Sequence, residues 1–170
     1  VATDSERLFT YARMALDDAR SSGKLFSLIN KNCPEARQRI ENTRWVKTVR
    51  KAIENNNIIL WFQEIKCVKR TSATKKFESL VRLKDEDGLI HSPMQFLPIV
   101  KQTNEYEKIT KSVIDNIVKA SLNNDYHFSI NLSAQDISNS STLDYLKNQL
   151  LQYKIASRIT LEILESEALD

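Results

Sequence analysis

From Ile58 onward the chain alternates between two hydrophobic periods, and this alternation restricts its fold more than any other feature of the sequence. Residues 58–62 form an apolar run too short for a helix, and the spacing predicts a strand there that continues to about Val68. Residues 77–83, 128–133 and 159–165 read as three more strands, each with side chains alternating between two faces. Between them the period is helical. Ser92 and Pro93 open a helical stretch through Phe96 and Leu97, and a longer helix from about 104 to 122 carries Ile109, Val113, Ile114, Ile117 and Val118. After a polar run at 135–142, Leu143, Leu146, Leu150 and Tyr153 fall in helical register. Five basic residues within 66–76 belong to a hairpin loop, and Asp85, Glu86, Asp87 and Gly88 make a turn.

Strands that alternate with helices imply parallel βα units with right-handed crossovers, here after one antiparallel hairpin. Four strands do not close a barrel, and the last carries Glu162 and Glu165 with no helix after it. The expectation is therefore an α/β fold, the first half of a larger domain. Two glycines and three prolines in 170 residues argue against an all-β fold rich in tight turns.

Upstream, Leu8, Tyr11, Ala12, Ala15, Leu16 and Ala19 predict a helix over 5–22 that Gly23 stops, with a short strand at 25–29. A helix and a strand with nothing before them to pack on read as the tail of another domain. Asn32, Cys33 and Pro34 mark a break, and a helix from 34 to about 55 follows, with Trp45, Val46, Val49, Ala52 and Ile53 as its apolar stripe. The expected division is thus 1–32 as tail and linker and 33–170 as the half-domain.

The 25 Lys and Arg against 22 Asp and Glu leave a net charge of +3, too small and dispersed to argue for a nucleic acid polymer or an anionic membrane. Cys33 and Cys67 stand far apart without metal spacing, which suits free thiols in a reducing compartment. No apolar run reaches transmembrane length and the start lacks the order of a signal peptide, so a cytoplasmic location is expected.

Chemistry concentrates on three strands. Glu78 shares a face with Leu80 and Arg82; Asn131 lies with Ser129 opposite Phe128, Ile130 and Leu132; Glu162 lies with Thr160 and Leu164. Ligands of parallel sheets gather at the carboxyl ends of strands, so Glu78, Asn131 and Glu162 could converge. Two carboxylates and an amide are hard oxygen donors suited to Mg²⁺, Mn²⁺ or Ca²⁺. The competing reading has each of them satisfying a local backbone group or facing solvent. His91 and His127 have no partner at ligand spacing and read as surface or structural residues. No nucleophile elbow, Walker loop or dinucleotide glycine pattern is present.

Five motifs occur in order: Trp61-Phe62-Gln63-Glu64-Ile65, Phe77-Glu78-Ser79-Leu80-Val81-Arg82, Pro93 with Phe96-Leu97-Pro98, Asn131-Leu132-Ser133, and Leu161-Glu162-Ile163-Leu164-Glu165. The set resembles the EAL domain of cyclic di-GMP phosphodiesterases, over roughly its first half. The helix with Ala12, Ala15, Leu16, Ala19, Arg20 and Gly23 is similar to the end of a GGDEF domain, although Arg13 and Asp17 stand where that family usually has Asp and Tyr.

The EAL resemblance implies a modified (β/α)8 TIM-type barrel with an antiparallel first strand, incomplete in this chain. It implies that Glu78, Asn131 and Glu162 ligate Mg²⁺ or Mn²⁺, that Glu165 supports an active-site loop, and that Gln63 and Arg82 contact the dinucleotide. It also implies cyclic di-GMP as partner, an upstream GGDEF domain in the parent, and a possible homodimer. Several positions depart from the family: Ser79 replaces an Ala, Glu64 a Pro, Val100-Lys101 an Ala-Glu and Leu164 a Thr. The family's Asp-Asp-Phe-Gly segment, later Lys, and distal Glu and Gln have no counterpart up to Asp170. The expectation is a parent that hydrolyses cyclic di-GMP to linear pGpG, with this chain inactive alone. Glu64, Val100 and Lys101 keep open a degenerate EAL domain acting as a non-catalytic receptor or protein-interaction module. An unrelated small α/β domain is the third reading.

Overall fold

Two helices open the chain and end by the same device. In the computed structural model, which describes residues 4–28, 34–66, 68 and 74–163, helix α1 spans Asp4–Ser21 and α2 spans Pro34–Glu54. Past α1, Gly23 takes a positive φ of 64°, so that Lys24 N–H reaches the Ala19 carbonyl at 2.9 Å and Gly23 N–H the Arg20 carbonyl. Past α2, Asn56 does the same at φ 55°, with Asn57 N–H on the Ala52 carbonyl at 2.7 Å. Both are Schellman closures, built on the two residue types that enter the left-handed region most readily.

The chain divides into two compact units, Val1–Thr48 and Val49–Asp170. In the first, Met14, Ala19 and Ala36 are buried, while Leu8, Phe9 and Leu16 are exposed. The strand expected at 25–29 is absent from its described part: Leu25, Phe26 and Leu28 are exposed and belong to no ladder, and an unpaired strand leaves its backbone groups to solvent. Ile29 lies outside the described residues.

The second unit holds one five-stranded sheet. Its strands are β1 (Ile58–Ile65), β2 (Lys76–Lys84), β3 (Ile90–His91), β4 (His127–Leu132) and β5 (Ile159–Ile163). They run in the order β1-β2-β4-β5, with β3 paired to the end of β2. The hairpin is antiparallel, from Ile58↔Leu83 to Ile65↔Lys76, and the β2/β4 and β4/β5 pairs are parallel, so the expected antiparallel start and parallel continuation are both present. Strand β1 stops at Ile65, short of Val68, because its partner begins at Lys76. The two-residue β3 was not anticipated; it pairs Leu83 with His91 and Lys84 with Ile90 across the Asp85–Gly88 turn.

Helices α3 (Pro93–Val100), α4 (Glu105–Asn123) and α6 (Ser140–Gln152) fall where the helical period places them. The polar run at 135–142 is not a plain connection. It holds a short helix, α5 (Ala134–Ser138), whose N-cap Ser133 accepts from Asp136 N–H while Asp136 reaches back to Ser133 N–H, a capping box. Asn139 then caps α6, accepting from the Ser141 and Thr142 amides.

The core lies on one side of the sheet. Phe128, Ile130 and Leu132 of β4 pack with Ile114 and Ile117 of α4 and Leu146 of α6, joined at the margin by Leu60, Phe77 and Ile159. Each fully buried side chain of this kind contributes about 1.5–3 kcal/mol. Leu161 and Ile163 share that face by register but stay 47% and 55% exposed, at the edge of the sheet. A buried Glu105 at the start of α4 binds Arg50 of α2 at 2.9 Å and Lys108 at 3.0 Å. Burial opposes ionisation of Glu105, but these two cations outweigh it and hold the carboxyl below its usual range. Among the described residues no helix is long and apolar enough to cross a membrane.

Ser79, where the resemblance expects Ala, points to this helix-covered side, and its hydroxyl is buried without a hydrogen-bond partner. Replacing it by Ala removes an unsatisfied polar atom and almost no volume. Ser79→Ala is expected to stabilise the protein by about 1 kcal/mol, read as a raised urea midpoint with an unchanged slope.

Candidate functional site

The other side of the sheet carries the polar residues. Because paired residues of neighbouring strands point the same way, register places Ile59, Trp61 and Gln63 of β1 on one face with Glu78, Leu80 and Arg82 of β2. Ser129 and Asn131 of β4, and Thr160 and Glu162 of β5, join the same face.

Glu78 and Asn131 meet directly. The Asn131 amide Nδ2 donates to Glu78 Oε1 at 2.9 Å, in a partly buried contact between residues 53 apart in sequence. Glu162 is the register partner of Asn131 on the adjoining strand. The three expected oxygen donors therefore share one patch, but not by lining up at strand ends. Asn131 and Glu162 stand near the carboxyl ends of β4 and β5, whereas Glu78 is the third residue of β2 and level with Ser129. It stands one side-chain step behind Asn131, and its longer side chain covers that step.

Gln63 is the direct partner of Glu78 across the hairpin and is exposed. Arg82 lies further along β2, with its guanidinium carbon 4.7 Å from the centre of the Trp61 ring and Nη1 donating to the Val81 carbonyl at 2.8 Å. Glu165 lies outside the described residues. Among those described, no cluster of three or more His, Cys, Asp or Glu side chains could hold a metal ion, so a cation here would depend on Asn131 as well as the two glutamates. The histidines stand apart from the patch: His91 bonds Asp85 at 2.7 Å, holding that carboxyl below its usual range, and His127 begins β4 with its N–H on the Lys75 carbonyl.

Behind the patch is a buried polar network that sequence reasoning did not find. Asp136 is 3% exposed and accepts from Ser133 N–H at 2.9 Å, Ser133 Oγ at 2.7 Å and Thr110 Oγ1 at 2.7 Å. Tyr106 OH lies 2.8 Å from both Asp136 and Ser133. Burial, helped by the Asp136 carboxylate, pushes the Tyr106 hydroxyl far above the usual tyrosine range, so it stays protonated and donates. This network fixes the turn that begins two residues after Asn131. Its one sequence signal was the Ser133-x-x-Asp136 spacing. Trp61, two positions before Gln63 and 50% exposed, was also missed as part of this face.

A sheet that starts with an antiparallel hairpin, continues in parallel and carries an acidic and amide patch on the face away from its helices defines the class. The EAL domain model matches residues 46–170, and the chain belongs to the EAL domain family. It is 29% identical over 132 residues to the cyclic di-GMP phosphodiesterase PdeB of Shewanella oneidensis, covering 74% of this chain and 15% of that protein. It is 27% identical over 180 residues to the signaling protein YkoW of Bacillus subtilis, covering 99% of this chain and 22% of that protein. In structure it resembles the FimX EAL domain from Pseudomonas aeruginosa bound to c-di-GMP, with TM-score 0.65 and 24% identity over 70% of this chain and 49% of that one. The chain thus spans less than a quarter of these curated relatives and about half of that solved domain. The expected mixed α/β fold, part of an EAL-type barrel, is the observed one.

Proposed function

We propose that this chain supplies the metal-binding and first dinucleotide-binding residues of a cyclic di-GMP phosphodiesterase, which converts its substrate to linear pGpG. The observation that carries this reading is the Glu78–Asn131 contact with Glu162 beside it, on the sheet face turned away from the helical core. The donor set fits a hard divalent cation: two carboxylates and the Oδ1 of an amide whose Nδ2 is already engaged suit Mg²⁺ or Mn²⁺. Such a cation, when bound, lowers the pKa of a coordinated water and neutralises charge developing on the phosphate.

The protein's own residues do the rest. Glu78, Asn131 and Glu162 hold and orient the cation. Arg82 offers a planar fork of donors to a phosphate oxygen, and Gln63, opposite Glu78, offers an amide to the dinucleotide. Glu165 supports a neighbouring active-site loop. In the parent, residues 1–32 close a GGDEF domain and 33–170 open the EAL domain.

The substitutions that favour a receptor lie off this patch. Val100 is fully buried in the core, the Lys101 carbonyl receives Gln135 Nε2 at 3.0 Å, and Glu64 points to the sheet face opposite Gln63. They alter packing and connections, not the donor set.

Metal titration tests the ligand assignment. Mn²⁺ affinity of the intact protein, followed by electron paramagnetic resonance, is expected to fall at least about 10- to 100-fold in Asn131→Ala and in Glu162→Ala, the loss typical even of an outer-shell partner. Wild-type affinity in both variants would remove these residues from the site.

A further inference from the structure

The guanidinium of Arg82 is drawn back along its own strand. Arg82 is level with Ile59 of β1, whereas Trp61 is level with Leu80, one side-chain step nearer Glu78. Yet the Arg82 guanidinium lies over the Trp61 ring at 4.7 Å, and its Nη1 donates to Val81, the residue on the Glu78 side, at 2.8 Å. Both contacts pull the charged head the same way. On that side β2 pairs with β4 only as far as Ser79↔Ile130 and with β3 only from Leu83↔His91, so the Val81 carbonyl between them is open to a side-chain donor. Trp61 is half exposed, and its contact with Arg82 is not imposed by core packing.

We propose that Trp61 is a positioning residue, which with the Val81 carbonyl holds the Arg82 guanidinium toward the Glu78–Asn131 end of the face, where it meets a phosphate oxygen of the dinucleotide. This rests on the function proposed above for Arg82. Indole is the best cation–π partner among side chains, and the arginine fork keeps its remaining N–H groups free while its flat face is stacked. An arginine held this way gives up less side-chain entropy when the phosphate arrives.

The test is a double-mutant cycle on cyclic di-GMP binding by the intact protein, measured by calorimetry with Ca²⁺ in place of Mg²⁺. Trp61→Leu is expected to weaken binding roughly five- to tenfold, and Trp61→Tyr, which keeps an aromatic face, less than about threefold. Arg82→Ala weakens it further, and the double variant binds no worse than Arg82→Ala alone, because Trp61 acts only through Arg82. The Arg82 Nε–H resonance, shifted by the indole ring current in wild type, moves to its ordinary position in Trp61→Leu while the rest of the spectrum is retained. Losses that add, or an unchanged affinity in Trp61→Leu beside a binding wild type, overturn the role of Trp61 and leave the functional reading standing. A wild type that does not bind cyclic di-GMP overturns the functional reading, and the role assigned to Trp61 goes with it.

Discussion

Glu78→Ala is expected to lower the rate of cyclic di-GMP hydrolysis by the intact protein at least about a thousandfold, equivalent to roughly 4 kcal/mol of transition-state stabilisation. The size follows from what Glu78 does in the patch. Among the described residues it is one of two carboxylates there, and its Oε1 is the group that Asn131 Nδ2 engages. Removing it takes away a proposed charged ligand and the contact that orients the Asn131 amide, so the proposed site loses one donor and the anchor of a second. Glu78 is only partly buried, and its truncation leaves the core of Phe128, Ile130 and Leu132 untouched. The variant should therefore melt within about 1 kcal/mol of wild type, as surface substitutions do. Steady-state assays with Mg²⁺, paired with thermal melts, separate the two effects. Activity within tenfold of wild type would remove Glu78 from the metal site.

The second large effect concerns stability. Asp136→Ala is expected to cost about 3–4 kcal/mol, the range for a broken buried network. The loss arises because the carboxylate's donors stay where they are: Thr110 Oγ1, Ser133 N–H and Ser133 Oγ remain buried without the carboxylate, and the Tyr106 hydroxyl is left with Ser133 Oγ alone. Asp136→Asn keeps the shape and one carbonyl acceptor but turns the other oxygen into a donor facing Tyr106 and Ser133, so it should cost about half as much. Urea unfolding of the three proteins checks this. A cost below about 1 kcal/mol in Asp136→Ala would mean that water replaces the carboxylate and the network is not cooperative.

The strands and helices were legible because each carries a clear period, and the hairpin because two strand-like runs flank a basic loop. The faces were legible too, since a period of two assigns each side chain to a side. Register was not. Nothing in the alternation of β2 says that Glu78 would be level with Ser129 and not with Asn131, because slipping two strands by two residues leaves every face unchanged. The contact between Trp61 and Arg82 was hidden for the same reason: it joins two strands at an offset that only the hairpin register fixes. Short elements were missed where caps outweighed composition. Helix α5 lies in a run rich in Ser, Asn and Asp that reads as a loop, yet Ser133 with Asp136 starts it and Asn139 restarts the chain as α6. The strand proposed at 25–29 failed in its described part because β-type residues alone do not supply a neighbour. The donor trio itself came from reading one oxygen-bearing side chain on each of three strands, and the family resemblance gave it a role.

The patch is proposed to belong to a metal-dependent phosphodiesterase and not to a receptor. The most direct measurement is product formation: the intact protein incubated with cyclic di-GMP and Mg²⁺, with and without a chelator, and the nucleotides separated by chromatography. Linear pGpG is expected in the presence of Mg²⁺ and none after chelation. Saturable binding of cyclic di-GMP with no pGpG at any Mg²⁺ or Mn²⁺ concentration would contradict it and assign the domain to the receptors.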